Sequence, residues 1–222
     1  MKIPRKKEPT IIVEESPARI TYPRVIHAPQ AKKSVFWFSL TELKHLVLGS
    51  LLVMGVGASL FWFDSAIRPG ILMILLAVFS LAFLLHEIAH KLAAQYYRLW
   101  AEFRLTLTGV LITLLSIISP VKIISPGAVM IVGARSKKIL GKVSLAGPLT
   151  NLVLSIIFLG VAFISPIYFV GCLFNALIAL INLIPFGLFD GMKVFFWNKI
   201  IWGIAFVLSA ALSAWAFINI YG

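Results

Sequence analysis

Residues 84–92 read LLHEIAHKL, in which two histidines four positions apart, His86 and His90, bracket a glutamate, Glu87. On a helix that spacing turns the side chains about 40° apart in projection and one turn apart in height, so both imidazoles reach one metal ion. Glu87 falls on their flank, where a carboxylate can hold a metal-activated water and act as general base, the mechanics HExxH hydrolases share. Zinc hydrolases take three protein ligands and keep a fourth position open, so a third ligand must come from elsewhere. The chain has four histidines and eight acidic residues. His27 and His45 belong to the tail and juxtamembrane region, Glu8, Glu14, Glu15 and Glu42 precede the first apolar run, Asp64 lies in a loop, and Glu102 follows the second run. Cys172 lies toward the far half of its helix. Asp190 remains.

The elements that carry these groups are set by composition. Hydrophobic residues make up 60% of the 222 residues and charged residues only 13%, which excludes a soluble domain. Polar breaks cut the chain into apolar runs at 43–63, 71–100, 139–165, 166–185 and 199–220, each near the roughly 20 residues a spanning helix needs. The expected fold is an all-α polytopic membrane protein of five to six transmembrane helices, with residues 1–42 forming a basic, proline-rich tail and juxtamembrane segment. The core would occupy 43–222. A net charge of +12 suggests nucleic acid only in a soluble protein; here basic residues gather in alternate loops, the pattern that sets membrane orientation. They place the N-terminus, the 101–138 region and the 186–199 loop on the cytoplasmic side, provided that 108–119 does not cross. That stretch reads as a re-entrant or shallow segment buried against protein.

Within 101–138, "AEFRLTLT" alternates like a strand, and "VKIISPGAVMIVG" carries a Pro-Gly turn between two β-branched runs, which reads as a hairpin near the inner face. The tail stretches "TIIVEE" and "RITY" read as short strands, and Phe36 to Phe38 as an interfacial aromatic anchor. Counting inward from Ile71 at about 1.5 Å per residue puts His86 in the inner third of a core roughly 30 Å thick. The fourth run ends on the same side, where Pro185, Gly187 and Gly191 break the helix and deliver Asp190 to a similar depth. The two elements can meet.

Three motifs in order then give a resemblance. "HEIAHKLAAQYY", "AGPLTN" at 146–151 and "NLIPFGLFDG" at 182–191 resemble the HExxH helix, the Gly-Pro signature and the Asn-x-x-Pro…Asp-Gly motif of the site-2 protease family of intramembrane zinc metalloproteases. The resemblance spans about residues 80–195. It implies one zinc ion per chain on His86, His90 and Asp190, Glu87 as the catalytic base, and Asn182 as a group that holds the substrate backbone or the oxyanion. It also implies that the substrate is a membrane-spanning protein and the surroundings a lipid bilayer. Departures stand at Met192, Lys193 and Leu188, where family members often carry other residues. Gly147 and Pro148 either let helices pack closely or shape the substrate entrance, and Asn151 and Asn175 read as interhelical glue.

Three rival readings carry fewer of these residues. A prenyl-protein type of metalloprotease needs a downstream glutamate ligand, and only Glu102 is available, too soon after His90. A transporter or ion relay, or an inactive protease-like binding protein, accounts for buried ionisable groups without the complete ligand set. The sequence leaves the oligomeric state open.

Overall fold

A computed structural model of the chain describes residues 37–61, 68–120, 122–133, 136–187 and 189–222. The readings of 1–34, "TIIVEE" and "RITY" among them, lie outside the described residues. Among the described residues seven helices and two strands follow in the order α1 Leu40–Ser59, α2 Pro69–Tyr96, β1 Trp100–Leu105, α3 Leu107–Ile118, β2 Gly127–Val132, α4 Lys137–Ala162, α5 Tyr168–Asn182, α6 Asp190–Trp197 and α7 Lys199–Tyr221. α1, α2, α4 and α7 are long and apolar enough to cross a membrane, and α3 and α5 are shorter apolar helices. Large aliphatic side chains such as Val47, Leu51, Ile74 and Ile204 stand exposed along the long helices, the surface of a protein solvated by lipid rather than water.

Local chemistry sets several boundaries. Ser39, Thr106 and Asn198 cap α1, α3 and α7 by accepting backbone N–H groups of the first turn. The apolar run at 166–185 gives a helix of only 15 residues, because Leu183 to Pro185 leave helical geometry; the indole of Trp202 donates to the Leu183 carbonyl at 2.7 Å and satisfies that end. The 186–199 segment, expected to be a loop, contains the short helix α6. Asp190 opens it, and an acidic residue in the first turn complements the helix dipole.

The sheet corrects one expectation. β2 does not pair with 122–125 in a hairpin; it pairs antiparallel with β1, in register from Trp100↔Val132 to Leu105↔Gly127. The residues between the strands fold as a unit. α3 climbs for 12 residues, about 18 Å and short of a crossing. Residues 122–126 then run back along it, held by Ser116 on Ile123 at 2.9 Å and Thr113 on the Ser125 N–H at 3.3 Å. Thr106 N–H bonds to Pro126 O at 3.2 Å, so the excursion leaves next to where it entered. Lys122 seals its far end, donating to Ser59 Oγ at 2.8 Å and to the Ser116 and Ile117 carbonyls.

Of three apolar clusters among the described residues, two join the long helices to α5. One gathers Val53 of α1, Leu75, Phe79 and Phe83 of α2, Phe103 of β1 and Phe174 and Ile178 of α5, with Phe79 and Phe174 stacked at 3.6 Å between centroids. The other joins Leu152 of α4 and Ala176, Ala179 and Leu183 at α5 to Ala205 and Leu212 of α7. α2, α4 and α5 thereby share a buried wall, and the ionisable groups lie on it.

Candidate metal centre

His86 and His90 are buried on the α2 face that meets α4. Their outer ring nitrogens have separate partners. His90 Nδ1 bonds to the Val143 carbonyl at 2.8 Å, so it carries the proton. His86 Nδ1 donates to Asn151 Oδ1 at 2.5 Å, an amide orientation fixed because Asn151 Nδ2 donates to the Ala82 carbonyl at 3.2 Å and to Asn175 Oδ1 at 3.0 Å. With both protons on Nδ1, both Nε2 atoms present bare lone pairs. They converge at 3.1 Å, and Asp190 Oδ2 closes the triangle at 2.9 Å from His90 Nε2 and 3.6 Å from His86 Nε2.

Three acceptors facing one point repel unless a positive charge lies between them. Donors about 2.1 Å from a tetrahedral zinc stand roughly 3.4 Å from one another, close to the three separations found. The hydrogen bonds behind each imidazole are of the kind that orients metal-binding histidines. His86, His90 and Asp190 therefore fit a zinc ion, and among the described residues they form a group of histidine and acidic donors able to hold one.

The chain must be shaped locally to bring them together. A Cβ on Gly147 of α4 would lie 2.6 Å from His86 Nε2 and closer still to His90 Nε2, so only glycine lets α4 lie against both rings. Pro148 has no N–H for the Ser144 carbonyl one turn earlier, and Ser144 is part of the cavity wall. A Cβ on Gly191 would run into the Leu183 backbone, so this glycine lets α6 fold tightly under the end of α5 and holds Asp190 at the imidazoles.

Glu87 is buried beside the triad and lines the same cavity, of about 50 Å³, with Asn182, Ser144, Lys193 and the β2 residues Gly127 to Val129 and Ile131. Asn182 donates one amide proton to Ile178 O at 2.9 Å and turns the rest of its side chain to the cavity wall. Lys193, a departure from the resemblance, sits 3.6 Å from Asp190 Oδ1, on the oxygen that the histidines do not face.

Two features escaped the sequence reading. Asn151 is interhelical, as expected, and it also fixes the His86 ring. Glu42, taken as preceding the membrane, lies in the first turn of α1 with no exposure and pairs with Lys91, the residue after His90. An intramembrane lysine was the signal that could have exposed this pair. For Asn151, replacement by leucine is expected to weaken zinc binding about 10–100-fold with the helical fold retained, measured by competition with a chromophoric chelator. An unchanged affinity would limit Asn151 to packing.

A Methanocaldococcus jannaschii protein named "Putative zinc metalloprotease" is 33% identical to this chain over 180 residues, which cover 77% of this chain and 92% of the archaeal protein. No family model matches the chain, and no solved structure matches it.

Proposed function

The chain belongs to the zinc metalloprotease family of this archaeal relative, and from that premise we propose that it is a site-2-type endopeptidase that cleaves membrane-spanning proteins within or beside the bilayer. The observation that carries the proposal is the position of the donor triad: it is built between helices long enough to span, with Glu87 buried next to it. A soluble hydrolase has no reason to set such groups among spanning helices, where each costs a few kcal/mol.

His86, His90 and Asp190 would hold a zinc ion, which would supply Lewis acidity to polarise the scissile carbonyl and to bring the pKa of a water toward about 7. Glu87 takes the proton of the attacking water and returns it to the leaving amide nitrogen. The Asn151 and Val143 contacts keep the two imidazoles in one tautomer through the cycle. Asn182, on the opposite wall, holds the substrate backbone or the oxygen on which charge develops. By the distribution of basic residues, the active-site side and the N-terminus face the cytoplasm.

A cavity of about 50 Å³ admits an ion and a few waters, not a peptide, so a substrate must lie along its rim. β2 supplies the rim. On β1, the Phe103 N–H goes to Glu42 Oε1 at 3.0 Å and the Leu105 N–H to His45 Nδ1 at 3.3 Å, so these groups point away from β2. Antiparallel ladders alternate. The N–H and C=O groups of Val129 and Ile131, opposite Phe103 and Ala101, therefore line the edge of β2 that faces away from β1. An unwound substrate segment adds there as a third strand, which exposes its amides to the centre.

The test is metal-dependent cleavage of a single-span peptide in detergent. The purified protein is expected to hold about one zinc, to lose cleavage on chelation and to regain it with zinc; cleavage by zinc-free protein would overturn the proposal. For the strand, Val129→Pro removes an N–H from the open edge and leaves the β1 ladder its donors. It should lower cleavage about tenfold at unchanged zinc content, and wild-type cleavage would remove strand addition from the mechanism.

A further inference from the structure

Lys91 follows a triad ligand directly, lies in a helix of spanning length and is 2% exposed, yet the metal centre does not use it. Glu42 accounts for it. This carboxylate, fully buried, reaches from the first turn of α1 and binds Lys91 Nζ through Oε2, while the ring of Phe38 lies 3.9 Å beneath the ammonium. Its other oxygen, Oε1, accepts the Phe103 N–H of β1 at 3.0 Å. One side chain thus joins α1, the helix that carries His86, Glu87 and His90, and the sheet. Phe103 is opposite Val129 of β2 in the register, and its ring packs edge-on against Phe83, one turn before Glu87, at 5.7 Å between centroids.

Burying an ion pair is a poor route to stability, since well-packed apolar residues do as well or better at such positions. Geometry is the better reason to keep it. A carboxylate held by an ammonium can be aimed at a single backbone N–H, and that N–H fixes where β1, and through it the open edge of β2, stands along α2. We propose that Glu42 and Lys91 are a positioning pair: they set the height of the β2 edge relative to Glu87 and so align the substrate strand with the triad. The inference rests on the protease reading above and extends it to substrate alignment.

Two charge-free double variants separate alignment from stability. Glu42→Gln with Lys91→Met removes both charges and keeps an acceptor for the Phe103 N–H. Glu42→Leu with Lys91→Met removes the acceptor as well. Both should fold and retain zinc. With a single-span apolar peptide carrying lysine flanks, a fluorophore and a quencher, the glutamine variant should keep KM and kcat within about twofold of wild type. The leucine variant should lower kcat about tenfold with KM within about threefold, because the strand still binds but is out of register with the triad. Its amides at 100–105 should also exchange hydrogen faster. Equal kcat values in the two variants would overturn the proposal. Should the leucine variant not fold, Glu42→Met with Lys91→Met, which also lacks a strong acceptor, takes its place with the same expected results. Absence of cleavage by wild type would instead defeat the protease reading; amide exchange would then decide, and equal exchange in the two variants would overturn the tether.

Discussion

Glu87→Gln is expected to lower cleavage of a membrane-spanning substrate by about 10²–10⁴-fold and to leave the zinc content of the purified protein unchanged. The substitution is close to isosteric, so it opens no cavity in the α2 wall, and Glu87 is not one of the three converging donors. What it removes is the capacity to take and return a proton. An amide still hydrogen-bonds a water but does not accept its proton at neutral pH. Two measurements on one preparation decide the matter: metal analysis, and single-turnover cleavage of a quenched peptide. Cleavage at the wild-type rate would exclude Glu87 as the base, and loss of zinc together with activity would make it a ligand or a structural support instead.

Gly147→Ala should abolish cleavage almost as fully by a different route. Alanine favours a helix interior over glycine by about 1 kcal/mol, so on propensity alone the substitution stabilises α4. The added methyl, however, falls where the Nε2 atoms of His86 and His90 already lie. Either the rings rotate, breaking their bonds to Asn151 and Val143, or α4 moves away from α2. Displacing catalytic groups by about 1 Å costs about 100-fold in rate, and losing the orienting bonds costs a further 10–100-fold in metal affinity. The expected signature is a folded protein, with helicity retained and a thermal midpoint modestly lowered because overpacking costs about 1–3 kcal/mol, that holds zinc weakly. A fully loaded, active Gly147→Ala protein would contradict the packing of α4 on the triad.

The triad was legible in the sequence because the polar groups of an apolar chain are few and their burial is costly, so His86, His90 and Asp190 explained one another. The sheet was only half legible. "AEFRLTLT" alternates as β1 does, but the nearest β-branched run suggested a local hairpin, and nothing in a period-two pattern reveals that β2 skips a whole helix to find its partner. α6 was hidden by the Pro-Gly punctuation before it, which marks a turn but not the short helix that Asp190 opens. Glu42 was misplaced because a glutamate two residues inside a helix start looks the same in sequence whether it meets water or a lysine of the neighbouring helix. The Gly147 contact joins residues 57 and 61 positions apart in the chain, and a Gly-Pro pair alone does not distinguish a kink from a seat for two rings.

The short fifth helix has a consequence for the shape of the membrane itself. α5 rises about 22 Å, whereas its neighbours α4 and α7, of 26 and 23 residues, rise about 39 and 35 Å. The turn that ends α5 thus closes a helix shorter than the two it packs against, and the exposed rings of Phe186 and Phe196 near it are of the kind that settle at the boundary between headgroups and hydrocarbon. Under the proposed reading the bilayer around the triad would not be a flat slab: its polar boundary would dip toward Asp190. A guest helix crossing that dip would pass from oil to water partway along its length. There an amide released from its helix is met by water, and the penalty of several kcal/mol that lipid imposes on such a group is lifted at the place where the chain must be opened.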